Sequence, residues 1–94
     1  MVMAKIKLFA NLRESAGESE MKMQGENIQE ILDGLLTRYP QLQELIFNDV
    51  EGKRELRSYI NILINGNNIL HLEGLDTIVN DDDEIAIFPP VSGG

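Results

Sequence analysis

The sequence has no cysteine and no tryptophan, a single histidine and three prolines, and its aromatic residues are two tyrosines and three phenylalanines. The missing cysteine excludes disulfides, thiolate zinc sites, iron–sulfur ligation and a cysteine nucleophile together. Positive charge is also scarce. Eight Lys plus Arg stand against 16 Asp plus Glu, a formal net charge of −8 and a pI near 4.4. Such a field repels phosphate backbones, so nucleic acid is a poor partner, whereas a basic protein surface is steered toward it. Long apolar runs are missing too: Ile62-Leu63-Ile64 falls far short of the roughly 20 residues that a spanning helix requires, so no membrane role is expected. Met1 to Lys7 alternates polar and apolar residues without an apolar signal region or cleavage site, and the cytoplasm is the expected compartment.

What remains is ordinary globular material. With 94 residues, 43% of them hydrophobic and 26% charged, the chain suits one compact domain and is too short for two.

Lys5 to Phe9 alternates with period 2 and predicts a strand; Asn11 to Glu18 is polar and reads as a loop; Glu20 to Gln24 alternates again until Gly25 breaks it. A hairpin is the expected arrangement. Asn27 followed by Glu30 is an Asn variant of the capping box, and Ile28, Ile31, Leu32, Leu35, Leu36 and Tyr39 fall on one face of a 3.6-residue period. Pro40 ends that helix, and Leu42, Leu45 and Ile46 supply one or two further turns. Asn48 to Arg57 reads as a polar surface connection. Tyr59 to Ile64 is the clearest strand, closed by the turn signal Asn65-Gly66; Ile69 to Leu72 predicts a short strand, Thr77 to Val79 a brief segment, and Glu84 to Phe88 the last strand. The order is α+β, with one amphipathic helix able to cover only one face of a mixed sheet.

Alternation then sorts the side chains. If Ile6, Leu8, Ile60, Ile62, Ile64, Ile85 and Ile87 point under the helix, then Phe9, Tyr59, Leu63 and Phe88 point to the uncovered face. Aromatic side chains left outside the core mark a docking patch, unless the turns near Leu45 or the loops cover them.

The carboxyl end carries the chemistry. A terminal Gly-Gly arises by composition in on the order of one chain in 200, and a plain frayed end or a cloning scar would read the same way. Pro89-Pro90, however, presets an extended backbone directly after the last strand, from which Val91 to Gly94 reach about 13 Å. Without a Cβ, Gly93-Gly94 can thread a narrow channel and deliver the α-carboxylate of Gly94 to another protein's active site. A carboxylate donates its acyl group only after its oxygen becomes a leaving group, which calls for an ATP-using partner that forms an acyl adenylate.

Phe9-Ala10-Asn11-Leu12-Arg13-Glu14 near the start and Asp83 to Gly94 at the end carry a resemblance to the MoaD/ThiS family of ubiquitin-like sulfur carriers, in particular the small subunit of molybdopterin synthase and archaeal MoaD-like proteins. The resemblance implies a β-grasp domain over residues 1–90 and a flexible Gly-Gly tail over 91–94. A ubiquitin-activating-type, MoeB-like enzyme would adenylate Gly94 with ATP, and a sulfur donor would convert it to a covalent thiocarboxylate, with no cofactor otherwise bound. The large, MoaE-like synthase subunit would then take the tail and pass sulfur to a pterin precursor, so the chain itself would be a non-catalytic carrier subunit of a sulfurtransferase. Phe9, Leu63 and Phe88, with Pro89, Pro90, Val91, Ser92 and Gly93, are the expected partner-binding residues. Asp82 stands where the family often has glycine, a left-handed position that Asp accepts at modest cost. The extra length at Asn48 to Arg57 and Glu73 to Thr77 resembles archaeal members, some of which are attached to lysines.

Three functions therefore share this terminus: molybdopterin synthesis, isopeptide modification of lysines, and sulfur delivery to tRNA or thiamine. A plain binding domain with an incidental tail is the fourth reading. His71 lacks Cys, His or paired carboxylates at ligand spacing, so no metal site is expected, and it reads as a strand residue. Asp81 to Glu84 lacks the spaced ligands of a calcium loop and reads as a solvated acidic turn. Arg13-Glu14 reads as a surface pair, and Met21 and Met23 as core.

Overall fold

The computed structural model describes residues 2–57 and 60–89. Its main sheet has five strands in the order β2-β1-β7-β5-β6, with a separate two-stranded sheet formed by β3 and β4. The strands are β1 (Met3–Leu8), β2 (Glu20–Gln24), β3 (Phe47–Val50), β4 (Lys53–Leu56), β5 (Asn61–Ile64), β6 (Asn67–Asn68) and β7 (Glu84–Phe88). The helices are α1 (Ala10–Ala16), α2 (Ile28–Arg38) and α3 (Gln43–Ile46), with 3₁₀ turns at Pro40–Leu42, Ile69–His71 and Gly74–Asp76. β1 runs antiparallel to β2 but parallel to β7, and β5 is antiparallel to both β7 and β6, so the sheet is mixed. This is the ubiquitin-like β-grasp.

α2 forms where the periodicity places it. The Asn27 side chain accepts a hydrogen bond from the Glu30 amide at 2.8 Å, and the Glu30 carboxylate in turn accepts from the Glu26 amide. Ile28, Ile31, Leu32, Leu35 and Leu36 are buried. Each such side chain removed from water is worth about 1.5–3 kcal/mol. They meet Ala4, Ile6, Leu8, Met21, Met23, Ile62, Ile64, Ile85 and Ile87 from the sheet and Ile60 just before β5, every one buried. The inward set read from alternation is thus the core, and the two methionines belong to it.

Three local expectations need correction. The polar stretch after Phe9 is not a loop; it forms α1, which closes with Gly17 in the left-handed conformation, the Gly17 amide donating to the Arg13 carbonyl. Only Leu12 of α1 is buried, so no apolar stripe announces the helix. Asn48 to Arg57 is not a plain connection, because Phe47 to Val50 pairs with Lys53 to Leu56 around Glu51-Gly52, both at positive φ. Finally, Ile69 to Leu72 is not a strand. The Asn68 side chain accepts from the Leu70 amide, turning the chain into a 3₁₀ turn that carries His71, and pairing stops at β6, two residues after the Asn65-Gly66 turn.

Candidate functional site

The site is built at the ends of the two central strands. β1 and β7 are parallel with Leu8 opposite Ile87, so the next residues, Phe9 and Phe88, emerge side by side. Their rings stack with centroids 4.4 Å apart and planes 10° from parallel. Offset stacking of this kind contributes about 0.5–1.5 kcal/mol beyond the area buried. Both rings remain half-buried, as does Leu63, which pairs with Ala86 on β7. Phe9, Leu63 and Phe88 therefore lie on the face that α2 leaves uncovered, and the loops do not bury them. Tyr59, expected on the same face, lies outside the described residues.

Toward the starts of the same strands the face turns polar. Lys7 reaches Glu84 at 3.4 Å and Glu20 at 3.9 Å, and Lys5 also reaches Glu20 at 3.9 Å, all of them substantially exposed. Pairs this open to water contribute little stability; their effect is a charged rim beside the aromatic pair. Pro89 is buried, so its ring does not face solvent. Pro90, Val91, Ser92, Gly93 and Gly94 lie outside the described residues.

The acidic turn has a structural task. Asp82 takes φ +67°, the left-handed geometry expected of it, and its amide donates to the Met3 carbonyl. Asp81 accepts from the Met3 amide, and Asp83 accepts from Asn65 Nδ2 and from the Asn80 amide. These carboxylates cap backbone and side-chain donors, and among the described residues no group of three or more His, Asp or Glu side chains is arranged to hold a metal ion. Neither Arg13 nor Glu14 has an ion-pair partner among the described residues, which removes the expected surface pair.

A fold with a mixed sheet, a covering helix, and a stacked aromatic pair directly before the terminal motif is matched along the sequence as well. The ThiS family matches residues 6–94. The chain belongs to that family. Small archaeal modifier protein 1 of Methanosarcina acetivorans, a solved structure, is 52% identical, covers 100% of this chain and 98% of its own, and superposes with a TM-score of 0.91. The molybdopterin synthase sulfur carrier subunit of Arabidopsis thaliana is 31% identical over 96% of this chain and 81% of its own length. CysO of Amycolatopsis orientalis, solved in complex with BexX, is 26% identical, with a TM-score of 0.82 over 97% of this chain and 99% of its own. The chain is thus of the ThiS/MoaD type, within a group of ubiquitin-like sulfur carriers and protein modifiers.

Two features escaped sequence reasoning. The stacking of Phe9 on Phe88 needs strand register, which no local pattern encodes. The pinning of α1 to the segment that follows α2 also went unread; Gln41 Nε2 donates to the Ser15 carbonyl, and Tyr39 donates to the Glu18 carboxylate just beyond α1.

Proposed function

We propose that this protein is a sulfur carrier whose reactive group is the α-carboxylate of Gly94. A carboxylate oxygen attacks the α-phosphate of ATP in an activating enzyme and pyrophosphate leaves. A sulfur nucleophile then displaces AMP from the acyl carbon, and a terminal thiocarboxylate results. The acceptor is the pterin precursor of molybdopterin, reached through docking on the large synthase subunit; similarity to the Arabidopsis sulfur carrier subunit supports this destination.

The observation that carries the reading is the half-buried Phe9–Phe88 pair, whose Phe88 ends the strand that leads into residues 90–94. An apolar aromatic anchor beside a Gly-Gly end lets a partner hold the globule and receive the terminus in one docking event. Mass spectrometry of the protein from its native host, grown where molybdoenzymes are required, is expected to find a fraction with one terminal oxygen replaced by sulfur. A pull-down is expected to recover the large synthase subunit. Failure of both overturns the reading.

A second reading has its own support. The 52% identity to a small archaeal modifier protein favours isopeptide attachment of the same Gly94 to lysines. It requires higher-mass conjugates that vanish when Gly94 is deleted. Both outcomes use the same adenylate, and the nucleophile that reaches it decides between them.

A further inference from the structure

We propose a second docking surface, distinct from the Phe9–Phe88 pair, that binds a partner segment presenting apolar side chains between lysines or arginines. Leu70, Leu72 and Ile78 are 71%, 48% and 61% exposed, and together they make up most of the strongly exposed large apolar side chains among the described residues. They sit within one short stretch in which Leu72 and Ile78 share a hollow, and isolated exposed leucines are common but adjoining ones are not.

The stretch is held rigidly. Ile69, Thr77 and Val79 are buried and anchor it. The Ile28 amide donates to the Thr77 carbonyl and the Val79 amide to the Glu26 carbonyl, which ties it to the start of α2. Thr77 Oγ1 accepts from the Glu73 amide, and the Asn68 side chain holds the first turn. With the backbone fixed, Leu72 and Ile78, which share a hollow with Glu73 and Thr77, are already in place to receive a side chain, and little entropy is lost on binding.

Charge selects the occupant. From residue 61 onward the chain has no lysine or arginine, while Glu73, Asp76, Asp81, Asp82 and Asp83 are acidic, Glu84 being paired with Lys7. A basic apolar segment is attracted to this stretch, and a second copy carrying −8 is repelled. Position matters as well. Ile78 bridges to Asn27, and Asp82 bonds to Met3, at the starting ends of β1 and β7, whereas Phe9 and Phe88 lie at their finishing ends. A partner seated on the Leu72–Ile78 hollow therefore lies toward the other end of those strands from Phe9 and Phe88, whereas Leu70 follows Asn68, the β6 partner of Leu63.

The test is a titration of the ¹⁵N-labelled full chain with a synthetic amphipathic peptide of leucine and lysine, beside a lysine–serine peptide of equal charge. Amide shifts are expected to cluster at residues 69–79, the lysine–serine peptide to bind more weakly, and the double variant L70S/I78S to lose about tenfold in affinity while F88A keeps it. The two serine substitutions fall on exposed positions, and an unchanged amide spectrum elsewhere verifies the fold. Shifts centred on Phe9, Leu63 and Phe88, equal binding of both peptides, no binding, or self-association abolished by L70S/I78S would each overturn the proposal. None of these readouts involves Gly94, so the result stands apart from the carrier chemistry.

Discussion

Tyr39 shows how one side chain can join two elements and set a pH limit. Its ring is buried, its hydroxyl donates to the Glu18 carboxylate, and the Arg38 guanidinium lies 5.3 Å from the ring centroid. The hydrogen bond to Glu18 raises the phenol above its ordinary pKa of 10.0, desolvation adds to the rise, and Arg38 opposes it. Because the folded value is the higher one, this stabilisation is complete at neutral pH and is lost as alkali carries the phenol through its elevated pKa. Ultraviolet titration should show a tyrosine ionising above 10.0, and Tyr39→Phe should abolish that component and flatten the alkaline fall in stability. Phe88 sets a different kind of limit. Phe88→Ala removes half of the stacked pair, and calorimetric binding to the adenylating enzyme or large synthase subunit proposed as its partners is expected to weaken by about tenfold or more, with the native circular dichroism spectrum retained.

Elements differ in how openly the sequence declares them. α2 is legible because its cap, its stripe and its terminating Pro40 all agree, and Asn27→Ala should cost about 0.5–2 kcal/mol in denaturant unfolding. α1 and the β3–β4 hairpin are not legible. α1 buries only Leu12, and Asn48, Asp49, Lys53, Arg54 and Glu55 are all exposed, so neither shows an apolar period. Tertiary partners hold the hairpin instead: Arg54 covers the Phe47 ring at 4.4 Å and pairs with Asp33 on α2. Gly25, read as a strand breaker, has a further reason to be glycine. A Cβ there would lie 2.9 Å from the Ile31 backbone nitrogen and 3.1 Å from Glu30 Cβ. Gly25→Ala forces the β2–α2 junction apart and is expected to destabilise by about 1–3 kcal/mol, measurable as a lower denaturation midpoint.

Across the whole molecule, charge and the terminus act together. On the proposed carrier reading, a chain of −8 that meets a basic partner surface should associate more slowly as salt rises, and stopped-flow association rates in increasing chloride test this directly, with little change expected in dissociation. Extending the chain beyond Gly94 by one residue is expected to abolish thiocarboxylate formation and conjugation alike, while the thermal midpoint stays unchanged; an extended chain that keeps both activities removes Gly94 from the mechanism.

Composition, hydrophobic period and capping determined on their own that this chain is a single α+β unit with a helix over one sheet face. Those properties depend on neighbours a few residues apart, and alternation alone separates Ile6, Leu8, Ile62, Ile85 and Ile87 from Phe9 and Phe88. Tertiary structure decided the rest. Parallel pairing of β1 with β7 joins residues nearly eighty positions apart, as Lys5 with Glu84, and only that register sets Phe9 against Phe88. It also sets the Asp81 and Asp83 carboxylates against backbone and side-chain donors and leaves Leu70, Leu72 and Ile78 outside. Long-range register and the competition among buried surfaces settle such matters, and no window of local sequence contains them.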